Sequence, residues 1–261
     1  MNKQMEQISI LGILVNPVNL HSSLTQFDEW IQSKTHAYVC VAPAHSIMEC
    51  VNDPSLLPVF NEADMVTPDG MSIVWLLQLK GHKNVRRVYG PDLVMAACHH
   101  GIEKNWKHFF FGGGLTVAQK LADKLQDQIP GLQVAGVHTP PFGRPNDAED
   151  IAMIELLNNS GADILWVGMS SPWQEVWMHE HLGRINIPIM VGVGAAFDYL
   201  SGTKPQAPQL IQKFGLEWLF RLLKEPKRMW PRYKQYPRFV FLALRELMID
   251  KKSIRDNALH K

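Results

Sequence analysis

Two patterns alternate along the chain. Short apolar runs rich in branched and aromatic residues are separated by longer stretches whose apolar residues recur every three or four positions. The short runs predict strands at 8–15, 37–42, 87–89, 108–111, 132–137, 164–167 and 187–193. The periodic stretches predict helices at 22–34, 46–52, 72–80, 92–105, 116–129, 148–159 and 173–184. Several strands are apolar throughout rather than alternating, as expected of strands covered on both faces. Strands alternating with helices imply crossover units. The expected fold is therefore α/β: a Rossmann-like, mostly parallel sheet with helices on both faces. A further apolar run, Ala63-Asp64-Met65-Val66, ends just before Thr67-Pro68-Asp69-Gly70-Met71.

The pattern changes after Gly215. Residues 216–224 read as an amphipathic helix closed by Glu225-Pro226. Beyond it, Lys227, Arg228, Arg232, Lys234, Arg238 and Arg245 interleave with Trp230, Tyr233, Tyr236, Phe239 and Phe241. The expected division is a catalytic α/β domain at 1–214 and a basic helical appendage at 215–261. Charge sharpens the contrast. Residues 1–220 hold 14 Lys+Arg and 21 Asp+Glu, a balance of −7, and residues 221–261 hold 12 and 4, a balance of +8, which together give the net +1. A basic segment on an acidic body suits an anionic partner. Three readings fit the aromatics among the charges: a membrane interface, a helical hairpin packed on the body, or a groove for single-stranded nucleic acid.

At 261 residues, with 46% hydrophobic and 20% charged residues, the chain has enough apolar material for one sizeable globular core. Cys40, Cys50 and Cys98 form no close pair, which favours a reducing compartment. Residues 1–15 have no basic start and no small-residue cleavage site, so they read as a strand rather than a leader. No run approaches the roughly 20 apolar residues that span a bilayer.

Chemistry is expected at the strand-to-helix junctions, where parallel α/β proteins place it. In Pro68-Asp69-Gly70 the proline fixes the approach and the glycine lets the backbone turn. An ordinary turn has the same signature. Phe111-Gly112-Gly113-Gly114-Leu115-Thr116 can bring backbone N–H groups to a phosphate, or be a plain tight turn. It is neither a Walker loop nor the dinucleotide fingerprint. Gly168-Met169-Ser170-Ser171-Pro172-Trp173-Gln174-Glu175 offers hydroxyls and an amide to a sugar or phosphate, or merely caps a helix. Gly192-Val193-Gly194-Ala195-Ala196-Phe197-Asp198 allows close backbone approach, with Asp198 placed for a ribose or base, or is helix–sheet packing. No metal site is expected. His179 and His181 lie two apart on a helix, His99 and His100 are adjacent, and no Asp-x-Asp pair occurs. No G-x-S-x-G elbow supports a serine triad.

Taken in order, these segments resemble the WecG/TagA/CpsF family of glycosyltransferases (family 26). The resemblance rests on Pro68-Asp69-Gly70-Met71-Ser72, Arg87-Val88-Tyr89-Gly90-Pro91-Asp92-Leu93, the glycine loop, the 168–175 and 192–198 junctions, Gly202 through Ala207-Pro208, and Gly215-Leu216-Glu217-Trp218-Leu219-Phe220-Arg221-Leu222. It runs from about Ala37 to Arg232. It implies transfer of a sugar from a UDP-sugar to a polyprenyl-diphosphate-linked saccharide, with inversion and without a metal or other cofactor. The setting it implies is cell-envelope or exopolysaccharide synthesis, by an N-acetylmannosaminyltransferase-like enzyme. Its location would be cytoplasmic, peripheral on the inner face of the cell membrane, held to an anionic surface, with no nucleic-acid partner.

The resemblance places the catalytic base on Asp69 and ties Arg87 and Gln174 to catalysis. For the substrate and nucleotide site it adds Arg221 and Arg228 to the junction residues Gly112, Gly113, Gly114, Ser170, Ser171, Gly194 and Asp198, with Pro43 and His45 in the stretch that corresponds to the acceptor cleft. Without a metal, arginines and helix N-termini must stabilise the leaving UDP. One stretch departs from the family pattern. Where Thr-x-Asn-x-Glu/Asp is usual, this chain has Val41-Ala42-Pro43-Ala44-His45. That departure fits a different sugar or acceptor, reduced activity, or His45 as substitute proton acceptor. It also keeps open a non-catalytic, membrane-associated subunit that binds a nucleotide sugar. The exposed apolar residues of the tail leave self-association open.

Overall fold

A computed structural model describes residues 5–141 and 143–259, with side chains described to Asp250. The chain begins with a hairpin, β1 (Ile8–Ile10) and β2 (Ile13–Val15), which forms its own small antiparallel sheet. The sequence pattern predicts one strand over 8–15. It is cut in two because Leu11 and Gly12 both take positive φ, 50° and 91°, the requirement of a two-residue hairpin turn.

The elements that follow are α1 (Leu20–Ser33), β3 (Ala37–Ala42), α2 (Ala44–Asn52), α3 (Leu57–Asn61), β4 (Met65–Pro68), α4 (Met71–Leu79) and α5 (Gly90–Gly101). Then come β5 (Lys107–Gly112), α6 (Val117–Gln128), β6 (Gln133–His138), α7 (Asp147–Asn158), β7 (Ile164–Gly168), α8 (Trp173–His181), β8 (Ile189–Gly192) and α9 (Ala196–Leu200). The remainder is helical: α10 (Gln209–Lys213), α11 (Glu217–Lys224), α12 (Pro226–Tyr233) and α13 (Tyr236–Leu259). Residues 87–89 do not form the predicted strand. They run past the end of β4, where Val88 N–H donates to Pro68 O at 3.0 Å, and then enter α5 at Gly90.

Strands β3 to β8 form one wholly parallel sheet in the order β4-β3-β8-β7-β5-β6. Both faces are apolar, which explains the missing alternation. In β3, Tyr38, Cys40 and Ala42 face one core with Phe109, Phe111, Leu165 and Val167. Ala37, Val39 and Val41 face the other, with Phe110, Ile164, Trp166 and Val191. After β5 the chain steps outward to β6, whereas after β7 it steps the other way to β8. The crevice between β5 and β7 is thus a topological switch point, where such sheets bind ligands beyond the strand ends.

The tail packs on the body. Phe239, Ala243 and Leu247, spaced by four along α13, join the first core, and Met229 and Tyr233 of α12 are also buried. Lys80, just past α4, pairs with Glu246 at 2.7 Å and Asp250 at 2.5 Å, and Glu246 also accepts from Leu11 N–H at 2.7 Å. The opposite side of α13 leaves Val240, Phe241, Leu244, Met248 and Ile249 exposed.

Candidate active site

Every junction singled out in the sequence lies along the C-terminal rim of the parallel sheet. Asp69 follows directly on β4. Its N–H donates to Ala42 O at 3.3 Å, and Gly70, at φ 100°, turns the chain into α4. The carboxylate is mostly enclosed, with 17% of its side chain exposed. Arg87 meets it: Nε donates to Asp69 Oδ1 at 3.3 Å, Nη2 to Glu217 Oε2 at 2.6 Å, and Nη1 to Gln212 Oε1 at 3.4 Å. The guanidinium lies over the Tyr89 ring, 3.9 Å from its centroid. One arginine therefore joins the β4 carboxylate to α10 and to the tail helix α11. Burial pushes Asp69 up to about 6; Arg87 opposes that shift and Glu217 adds to it. A carboxyl group with that value is a competent proton acceptor near neutral pH.

The glycine loop lies four strands away. At about 4.8 Å per strand the rim from Asp69 to Gly112 is about 19 Å long. A Cβ on Gly112 would sit 2.9 Å from the Gly168 backbone, so glycine there allows β5 and β7 to close together at their last pair, Gly112 with Gly168. Gly113 N–H donates to Gly168 O at 2.8 Å. Gly114 then accepts from Val117 N–H at 2.9 Å as α6 begins.

Six buried side-chain polar atoms without partners belong to residues at the end of β4, at the starts of α2, α5 and α8, and in α11. They are His45 Nε2, Thr67 Oγ1, Tyr89 OH, Gln174 Oε1, Glu175 Oε2 and Arg221 Nε. Buried polar atoms are rarely left unsatisfied, and such a set at strand ends is where a polar ligand fits. Ser171 does not cap α8 as the capping alternative expects. Its Oγ lies 3.2 Å from Ser46 Oγ, and Pro172 holds the cap position without a side-chain bond. Ser170 supplies its carbonyl to Gln174 N–H at 3.0 Å. Gly194 lies beside Gln174: a Cβ there would be 3.5 Å from Oε1.

His45 does not suit the role of substitute base. Burial, then Arg232 and Arg221, hold its imidazole down to about 3, so it stays neutral and weakly basic. Pro43 occupies the N-cap of α2 with no side-chain bond. Asp198 pairs with Lys204 at 2.7 Å. Arg221 lies over Tyr199, 5.7 Å from the ring centroid, and Arg228 pairs with Glu225 at 2.8 Å.

Three contributors escaped the sequence reading of individual residues. Arg232 completes an arginine cluster; burial, then Arg221 and Arg228, push its guanidinium down from its usual value. Glu217 is the one buried residue of α11. Glu175 is wholly buried and binds Gln174. The histidines face apart, His179 to Glu62 and His181 to Asp150. Among the described residues, no three His, Cys, Asp or Glu side chains converge as a metal site would require.

The model of the glycosyl transferase WecG/TagA/CpsF family matches residues 8–253. Three similar proteins are each named N-acetylglucosaminyldiphosphoundecaprenol N-acetyl-beta-D-mannosaminyltransferase. One from Bacillus spizizenii is 27% identical over 238 residues, covering 88% of this chain and 90% of the relative. One from Bacillus subtilis is 23% identical over 232 residues, covering 87% and 88%. One from Staphylococcus aureus is 25% identical over 210 residues, covering 80% of each.

Proposed function

This chain belongs to the WecG/TagA/CpsF glycosyltransferase family, and from that premise we propose that it moves an N-acetylmannosamine-type sugar from a UDP-sugar to a polyprenyl-diphosphate-linked saccharide with inversion. The observation that carries this reading is the mostly enclosed Asp69 carboxylate, held up to about 6 at one end of a rim lined with unpartnered polar atoms. Asp69 takes the proton of the acceptor hydroxyl as its oxygen attacks the anomeric carbon. The diphosphate leaves on the opposite face, which inverts the centre. Charge developing on the UDP meets Arg221, Arg228 and Arg232, with the uncapped N-termini of α2 and α8 behind them. The rim of about 19 Å accommodates an extended nucleoside-diphosphate sugar, with the nucleoside toward the β5–β7 crevice and the sugar toward Asp69. Residues 1–214 supply the rim and 215–261 supply Glu217 and the arginines.

The direct test is transfer from UDP-N-acetylmannosamine to N-acetylglucosaminyl-diphosphoryl-polyprenol in EDTA. The expected product is a β-linked disaccharide lipid, formed at the same rate with and without the chelator. Absence of product would sink the transfer reading. Product that requires added magnesium or manganese would sink only its metal-free form.

The pH profile tests the network. Glu217 raises Asp69 and shares its arginine. Glu217→Gln removes that negative charge, so Asp69 ionises more readily. The acid limb of kcat/KM, expected near pH 6 in the parent, should move to lower pH in the variant. A limb that stays in place or moves up would separate Glu217 from Asp69.

The tail is proposed to dock on the anionic inner face of the cell membrane. No helix among the described residues is long and apolar enough to cross one. Phe241, Leu244 and Met248 are 65%, 51% and 66% exposed on α13, with Lys234, Arg238 and Arg245 nearby in sequence and also exposed. Each basic residue near such a surface contributes about 1 kcal/mol, weakened by salt. Truncation before α12 would also remove the buried Met229 and Phe239, so point changes are the cleaner probe. Replacing Phe241, Leu244 and Met248 with serine should abolish cosedimentation with anionic vesicles at low salt and leave Tm unchanged within a few degrees. If the parent ignores vesicles and the triple variant instead loses self-association, the exposed face pairs two copies of the chain.

A further inference from the structure

Glu175 is a buried acid that the transfer step does not use. It lies at the start of α8, is 0% exposed, and burial pushes its carboxyl up from the usual range. Its Oε1 accepts from Gln174 Nε2 at 2.9 Å. The amide nitrogen is thus turned toward Glu175 and the amide oxygen away from it. That oxygen, on a side chain 3% exposed, has no partner. Gly192 and Gly194 border the amide: a Cβ on Gly192 would lie 3.0 Å from Nε2, and one on Gly194 3.5 Å from Oε1. Two glycines thus keep room beside a polar group whose orientation is set by its bond to a buried carboxyl group.

We propose that Glu175 is a positioning residue that locks the Gln174 amide with its oxygen toward the cleft, so that the donor sugar is selected for a hydrogen-bond donor there, a hydroxyl or an acetamido N–H. This deepens the sugar-transfer reading and rests on it. A sugar presenting a carboxylate at that point would meet a carbonyl oxygen and be rejected, because two acceptors cannot pair. In Glu175→Gln the neighbouring side chain can donate as well as accept, so Gln174 is free to flip and the orientation is lost.

The test compares UDP with UDP-N-acetylmannosamine on the full-length protein by calorimetry, alongside steady-state transfer. The parent should bind the UDP-sugar more tightly than UDP. In Glu175→Gln that advantage should fall about tenfold, the scale of one hydrogen bond, with UDP affinity unchanged and KM for the donor raised more than kcat is lowered. The double variant Gln174→Glu/Glu175→Gln should restore the advantage. In it the carboxylate and the amide trade places, so the carboxylate accepts from the adjacent amide with one oxygen and faces the cleft with the other. Equal weakening of UDP and UDP-sugar in the single variant, no weakening at all, or no rescue by the exchange would overturn the positioning role. A parent that binds UDP but gains nothing from the sugar would overturn it as well. A parent that binds neither would overturn the transfer reading itself, and this inference with it. If the single variant does not fold, the exchange variant decides alone by the same comparison.

Discussion

Asp69→Asn should lower turnover by about 10²-fold or more while UDP-sugar binding persists. The size follows from the loss of a general base, which contributes about 10² to 10⁴. The substitution is nearly isosteric, and Arg87 keeps its 2.6 Å contact to Glu217, so the local structure should hold. Asn cannot take a proton from the acceptor hydroxyl. Loss confined to turnover, with donor affinity intact, marks an interaction made only in the transition state. The measurement is single-turnover transfer beside calorimetric binding of the UDP-sugar. Turnover within a few-fold of the parent would remove Asp69 from the chemistry.

Arg221→Ala is expected to cost about 10²- to 10³-fold in turnover, the scale for losing one preorganised donor to a developing anion. No carboxylate lies within ion-pairing distance of Arg221 among the described residues, its Nε is buried and unpartnered, and it lies over Tyr199. A guanidinium left without a protein anion is placed for a ligand's. Its removal relieves Arg232 of a like charge, so Tm should change little while turnover falls. Arg221→Lys should recover only part of the loss, because an ammonium lacks the planar fork that matches a diphosphate. If the alanine variant turns over within twofold of the parent, the arginine cluster does not stabilise the leaving group. If Tm instead falls by many degrees with turnover, Arg221 is structural.

Much of the architecture was legible in the residues alone. Period is a local property, so the apolar runs and helical stretches placed β3 and β5 to β8 and most helices within a few residues. The uniformly apolar strands told correctly of a sheet covered on both faces, and the change of pattern after Gly215 told of a helical C-terminal region. The two failures were local as well. Leu11 hid a turn inside an apolar run, and 87–89 had strand composition but bonds to β4 only at its last residue, Val88 N–H to Pro68 O, before entering α5.

The site was legible as a set of junctions and illegible as a network. Pro68-Asp69-Gly70 announced a carboxylate at a strand end. Nothing near it announced that Arg87 would be shared with Glu217, 130 residues further on, or that Gln212 would join them. His45 read as a spare base until burial and two tail arginines, far away in sequence, made it neutral. Glu175 read as half of a helix cap until its depth showed which way the Gln174 amide must face. Sequence sets which groups the chain carries and the local path on which they ride. Protonation, orientation and partnership depend on dielectric and distance, and only the packed sheet with its tail folded back upon it decides those.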